Sequence, residues 1–434
     1  MTDLLAARSQ MAMSLAFHII FAAVGMAMPL LMILAERRHM RSGDPIDLEL
    51  ARRWSRGTAI LFAVGAVSGT VLSFELGLLW PQFMAFAGPI VGMPFSLEGF
   101  AFFLEAIFLG IYLYGWTRVR PMVHLFAGVM VLISGIASAV FVVCANAWMN
   151  TPTGFTMVAG EVIDVDPLAA MFNKAAFSEA LHMVLAAFAA VGFAVAGIHA
   201  AMLLRKPNAV FHRRALGLAL PVGCVAACLQ LVSGDIAAKQ VAENQPIKLA
   251  AMEGHWETER GAPLRVLGWP DEADEVTRWS IDLPKGLSFL AFGDFDAEVR
   301  GLKEFPREER PPVAVVHVAF QVMVMCGTAM LGVAALAGWL KIRRRVLAEV
   351  RWFLRLVVLS APLGFIAIEA GWVVTEVGRQ PWVVQDILRT ADAVTPMPHL
   401  AVPFVTFSLL YLVLGVTVVV LLRRQVFAAP EDEA

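Results

Sequence analysis

AMSLAFHIIFAAVGMAMPLLMIL, residues 12–34, holds one ionisable side chain, His18, and no Asp, Glu, Lys or Arg. A run of about 20 apolar residues crosses a bilayer's hydrocarbon core as a helix. Directly behind it stand Glu36, Arg37 and Arg38. Eight more segments repeat the pattern, at 58–80, 96–116, 122–146, 178–203, 215–235, 313–340, 352–376 and 400–422. Composition agrees. The chain is 59% hydrophobic and 16% charged, where soluble domains carry roughly 25% charged residues. The fold expected is an all-α integral membrane protein with nine transmembrane helices. A net charge of −2 gives no basis for binding nucleic acid.

The loops set the orientation. Arg37, Arg38, Arg41, Arg52, Arg53 and Arg56 follow the first span, and Arg118 and Arg120 the third. Arg205, Lys206, Arg213 and Arg214 follow the fifth, Lys341 to Arg355 the seventh, and Arg423 and Arg424 the ninth. The opposite short segments hold Arg8, Lys174, Arg379 and Arg389, and 81–95 reads as a loop without charge. Lys and Arg in short loops favour the cytoplasmic side. The N-terminus is therefore expected outside and the C-terminus inside, which needs an odd number of crossings. Met1 to Gln10 lacks a small-residue cleavage site, so the first span is read as retained. Residues 1–434 form one membrane domain in this reading. Residues 236–312 are a large outer loop within it, which Trp256, Trp269 and Trp279 would seat at the membrane surface. Ala428 to Ala434 reads as a frayed tail.

Polar side chains inside spans mark sites or proton paths, because they are costly in hydrocarbon. His18, His182, Met323 and Glu369 all lie in apolar spans, and this donor set points to haem iron. Cys144, Cys224, Cys228 and Cys326 form no C-x-x-C-H motif, so haem would be held without a thioether link. One methionine among 21 is ordinarily packing. Met323 stands out because it and His182 reach matching depths in the outer half, from which they can clamp one iron. Glu98 and Glu105 are seven apart, on one helix face, and read as a proton relay or a wall of the iron site. Glu179, one turn before His182, is placed to orient it. Glu75 and Glu376 are read as span-end residues reaching water. His39 and His212 read as solvated. His124 and His199 lie away from the cluster, and His317 as a group for a substrate pocket.

Phe17-His18, Leu97-Glu98-Gly99 to Leu104-Glu105, Asn146-Ala-Trp148-Met149-Asn150, Lys248 to Glu253 with Trp256-Glu257-Thr258, Glu369-Ala-Gly-Trp372 and Gly378-Arg379-Gln380-Pro381-Trp382 belong together. With them the chain resembles subunit I of cytochrome bd quinol oxidase over almost its whole length, with the short form of the quinol loop. The resemblance implies two haem b and one haem d, the third leaving haem b open. His182 and Met323 would be axial ligands of the low-spin haem b. His18 and Glu369 would serve the two high-spin haems, in an order left open. Trp372, Arg379 and Arg8 would be further cofactor contacts, the arginines facing propionates. Glu98 would stand at the oxygen-reducing site, Glu105 on a proton path to it, and Lys248 and Glu253 would bind quinol. It also implies a second membrane subunit, a small single-span companion in the family's pattern, and the bacterial cytoplasmic (inner) membrane. The activity implied is oxidation of quinol at the outer face and reduction of dioxygen to water with cytoplasmic protons, electrogenic but non-pumping. Two positions depart from the pattern: some relatives space the two glutamates by eight, and many have arginine where Gln321 stands. The competing readings are a proton-coupled secondary transporter using Glu98, Glu105 and Glu369, for which no paired repeat is seen, and a haem-binding homologue without quinol turnover.

Overall fold

The structure is a computed structural model and describes residues 1–427; the tail read as frayed lies outside the described residues. Helices run in the order α1 (Asp3–Ser42), α2 (Pro45–Leu79), α3 (Pro81–Tyr114), α4 (Pro121–Asn150), α5 (Pro167–Met171), α6 (Ala176–Arg205) and α7 (Val210–Asn244). Then follow α8 (Pro246–Glu253), α9 (Gly286–Phe292), α10 (Val313–Ile342), α11 (Arg351–Ser360), α12 (Leu363–Val377), α13 (Thr390–Ala393) and α14 (Ala401–Leu422). Among the described residues, nine spans are long and apolar enough to cross a membrane, α11 and α12 together making one of them.

Local signals explain the helix ends. The hydroxyl of Thr2 caps α1 by accepting from the Leu5 amide, and Gly43 closes it in the left-handed region at φ 69°. Asp44 caps α2, with Pro45 at its first position. The helices overshoot the expected spans. α1 has 40 residues, about 60 Å, twice the roughly 30 Å hydrocarbon core. Residues 81–95 correct the sequence reading. They are not a loop but the first turns of α3, and Trp80 alone separates α3 from α2. Phe83, Ala87, Ile90 and Val91 of this segment pack on Ala6, Ala7 and Trp148.

The main core joins α1, α2, α6, α7, α10 and α11 through residues such as Leu31, Leu50, Phe193, Leu216, Val333 and Phe353. α6 and α12 approach closely: a Cβ on Gly364 would stand 2.3 Å from Ala190 Cα. Phe74, Phe100, Phe103 and most of α14 point outward, as apolar faces do toward lipid or another apolar surface.

The segment 236–312 is ordered. α7 continues through its start to Asn244, and α8 follows. Three antiparallel pairs are then nested: β1 (Glu259–Arg260) with β6 (Glu298–Val299), β2 (Leu264–Val266) with β5 (Ile281–Leu283), and β3 (Trp269–Asp271) with β4 (Val276–Arg278). Met252, Trp256 and Leu302 pack on Val313, Val316 and Val374, which seats this loop on α10 and α12. Of its tryptophans only Trp256 is buried; Trp279 is 83% exposed. His317 places Nδ1 2.8 Å from Met252 O and Nε2 3.2 Å from Leu267 O. Gln321 donates to Arg265 O and accepts from Leu267 N, each at 3.1 Å. His317 is thus wholly buried and pins the loop; it does not line a substrate pocket.

Candidate functional site

Three of the four iron-ligand candidates, His18, His182 and Met323, stand beside a glycine on another helix. His18 on α1 faces α2, where a Cβ on Gly69 would lie 3.0 Å from its Cε1. Ser68 takes up His18 Nδ1 at 2.9 Å, which leaves Nε2 to coordinate. His182 on α6 faces α7: its Nδ1 lies 3.2 Å from Ser233 Oγ and its Cε1 3.7 Å from a Cβ on Gly234. The Gln230 amide sits 3.0 Å from His182 Nε2, so a ligand bond there requires that amide to turn aside. Met323 on α10 faces α12, its sulfur 3.1 Å from a Cβ on Gly371. Glu369, also on α12, holds a buried Oε1 with no hydrogen-bond partner. Trp372 packs with Ile19, Met183 and Ile368 where α1, α6 and α12 meet. α6 and α10 each pack on α7 and α12 and scarcely touch one another, so α7 and α12 stand between the helices of His182 and Met323.

These features fit haem. Glycines let a flat macrocycle approach the backbone, and an unpartnered buried carboxyl oxygen suits a metal bond. Among the described residues no three His, Cys, Asp or Glu side chains gather around one point to hold a bare ion. Ligands offered singly suit an iron whose other bonds come from a ring.

Both carboxylates of α3 face α4. Ser138 donates to Glu98 Oε1 at 3.3 Å, and a Cβ on Gly135 would lie 3.2 Å from Glu105 Oε1. The seven-residue spacing therefore keeps them on one wall. Glu105 is buried, with Gly25 of α1 on its other side.

A second polar cluster lies where α4, α8 and α12 end. Arg379 donates to Glu376 Oε2 at 2.6 Å and to Asn150 Oδ1 at 3.1 Å. Lys248 donates to the same Asn150 oxygen at 3.0 Å and to Gln245 Oε1 at 2.9 Å. Asn150 in turn donates to Glu179 at 2.9 Å, and Asn146 to Glu376 at 2.6 Å. Burial, then the charge of Arg379, lowers the Lys248 pKa. Arg379 is 2% exposed, and its Nε lacks a partner. Arg8 has no hydrogen-bond or ion-pair partner among the described residues, which leaves its charge for an anionic group.

Several expectations need correction. Glu179 does not orient His182; it holds Asn150, while Ser233 and Gln230 orient the ring. Glu75 does not reach water. It is 2% exposed and accepts from Gln10 and Ser14, each at 2.9 Å. Glu376 does reach water in part, but it also belongs to the arginine network. His212 is half-buried, its Nδ1 2.8 Å from that of His199. Lys248 and Glu253 share α8 but, five residues apart, point about 140° from each other. Burial pushes Glu253 up to about 8, with Arg265 opposing. Next to α8, a groove of about 530 Å³ opens along the ends of α6 and α7, lined by Phe177, Gln240, Glu243 and Asn244 among others. Ser68, Asn150, Gln230 and Ser233 escaped the sequence reading. Only Asn150 carried a signal, its place in Asn146–Asn150.

Known proteins match this arrangement throughout. The model of the family "Cytochrome bd terminal oxidase subunit I" matches residues 6–430. A relative in Bacillus subtilis (strain 168), provisionally named a cytochrome bd menaquinol oxidase subunit I, is 39% identical over all of this chain and 98% of its own length. "Cytochrome bd-II ubiquinol oxidase subunit 1" of Escherichia coli (strain K12) is 30% identical over 89% of this chain and 88% of its own. Among solved structures, a chain of the bd oxidase from Geobacillus thermodenitrificans aligns with a TM-score of 0.93 and 40% identity, covering 99% of both chains. A multi-pass membrane protein with this sequence and this helix arrangement belongs to the cytochrome bd terminal oxidase subunit I family.

Proposed function

We propose that this chain is the haem-bearing subunit of a quinol:oxygen oxidoreductase of the bacterial inner membrane. The observation that carries the reading is the set of glycine-faced or unpartnered donors, His18, His182, Met323 and Glu369, on α1, α6, α10 and α12. His182 and Met323 hold the low-spin haem b; His18 and Glu369 serve two high-spin haems, one of them d. Bound haem supplies one-electron transfer and the chemistry of dioxygen. The chain's residues do the rest. Arg379 and Arg8 neutralise propionates. Quinol approaches along the groove over α6 and α7 and gives its protons up at the loop, with Lys248 and Glu253 as its binding pair. Glu105 passes protons to Glu98 at the oxygen site, and these come from the arginine-rich, cytoplasmic side. The loop 236–312 and the N-terminus face outward, so charge separates without a pump. A second membrane subunit covers part of the apolar surface, and a small single-span subunit can join it.

A reduced-minus-oxidised spectrum of the purified complex, with haem extraction and a quinol-dependent oxygen uptake assay, tests this. Three haems and uptake are expected; a colourless assembled complex removes the reading, and haems without uptake leave only a haem-binding homologue.

Two variants sharpen it. Gly69→Ala puts a methyl 3.0 Å from His18 Cε1. The ring must shift, and haem affinity at that site should fall on the order of 10–100-fold, read as haem per complex. Glu253 is neutral at pH 7 and ionises as pH rises through about 8. A proton acceptor works only when ionised. Turnover should therefore climb toward pH 8, and Glu253→Gln should flatten that limb. Stability has the opposite sign. Between 4.5 and about 8 the folded loop holds a proton that the unfolded chain has lost, so stability falls as pH rises through that window.

A further inference from the structure

The oxidase reading leaves one buried cluster unused, at the arginine-rich end where α1, α3 and α4 meet. Glu36 is 4% exposed, His124 3%, and Tyr112 wholly buried. Glu36 Oε1 lies 2.8 Å from His124 Nδ1, and His124 Nε2 lies 2.8 Å from the carbonyl oxygen of Tyr112. A carbonyl only accepts, so Nε2 carries a hydrogen. Nδ1 then either accepts from a protonated Glu36 or, as imidazolium, donates to its carboxylate. In both forms the pair holds one transferable proton on a single 2.8 Å contact. Glu36 Oε2 and Tyr112 Oη are both buried without a well-formed hydrogen bond, although the Tyr112 hydroxyl faces the Glu36 carboxylate. A purely structural clamp gains nothing from two such atoms.

Position adds the second argument. Glu98, Glu105 and Tyr112 follow one another at seven-residue steps, on the face of α3 that meets α4. On α4 their neighbours are Ser138, Gly135 and Gly128 in turn. A Cβ on Gly128 would stand 2.8 Å from the Tyr112 ring, so the glycine is what admits that ring. The Tyr112 and His124 rings lie 4.4 Å apart. Trp116, 4.1 Å from His124, covers the cluster, with the Arg52 guanidinium above it.

We propose that Glu36, His124 and Tyr112 form the entry segment of the proton route to Glu105 and Glu98, an inference that rests on the oxidase reading. A proton taken up at Glu36 Oε2 is matched by release of the one shared between Oε1 and Nδ1. Tyr112 Oη accepts a proton as it gives up its own. Each group ends with the protons it began with. The remaining step to Glu105, two helical turns or about 10 Å, is bridged by water.

The test uses the assembled oxidase. Tyr112→Phe removes only a hydroxyl, and Glu36→Gln keeps the shape of the pair. Turnover, KM for quinol, the reduced-minus-oxidised spectrum and dye-detected proton uptake are measured for each. Turnover and proton uptake should fall together by about tenfold or more, with KM and spectrum unchanged, and Glu36→Asp should recover part of the loss. Wild-type uptake in both variants overturns the proposal. A loss that moves KM or the spectrum in step makes the cluster a clamp and overturns it too. If the unsubstituted complex lacks haem bands or quinol turnover, the oxidase reading fails first and takes this inference with it.

Discussion

Met323→Leu should remove the low-spin haem signal from the reduced-minus-oxidised spectrum while the other haem bands stay. Leucine nearly conserves the methionine's volume, and such swaps usually cost under about 1.5 kcal/mol in a packed interior. The bundle therefore survives, and only the thioether is lost. Met323 places its sulfur beside Gly371 of α12. Without the sulfur, His182 alone of the proposed pair would remain to hold the haem. Even outer partners of a metal ligand are worth 10–100-fold, so quinol-driven turnover should drop by roughly 100-fold or more. Electrons supplied by a soluble reductant directly to the remaining haems should bypass much of that loss. An unchanged low-spin band would refute the ligand assignment and leave Met323 as packing.

Arg379→Leu should destabilise the protein by about 3 kcal/mol, the lower end of the range for removing one partner of a buried ion pair, because Glu376 is 29% exposed and keeps its bond from Asn146. Arg379 is 2% exposed, and its guanidinium is the only cation bonded to Glu376 among the described residues. Leucine would leave that carboxylate with Asn146 and solvent, and break the bond to Asn150 Oδ1, which would then rely on Lys248 and Gln245 alone. The loss should appear as a lower detergent-solution melting temperature and a poor yield of haem-loaded complex. Adding Glu376→Met should recover part of it, because removing both charges strands neither. A single variant as stable as the parent would mean that the network contributes nothing to folding.

The spans and their polar residues were legible because the bilayer imposes length and hydrophobicity locally. His18 sits in an apolar stretch wherever the rest of the chain goes. The start of α3, residues 81–95, reads as a loop in the sequence although it holds no charge; its prolines, Pro81, Pro89 and Pro94, disfavour a helix interior. Pro81 in fact occupies the first helical turn, where its missing N–H costs nothing. The burial of Glu75 depends on Ser14, 61 positions away, and the Arg379–Asn150 bond spans 229 positions. No periodicity encodes partners at that range. The glycines facing His18, His182 and Met323 are invisible for the same reason, since each lies on a different helix from the side chain it admits.

His317 and Gln321 bolt the loop backbone to α10, and Met323 lies within two turns of both. A molecule that lifts the loop must snap those carbonyl links or tilt the helix with it. In the second case the position of the Met323 sulfur becomes a gauge of what sits above, because the helix carries the displacement to it as a rod.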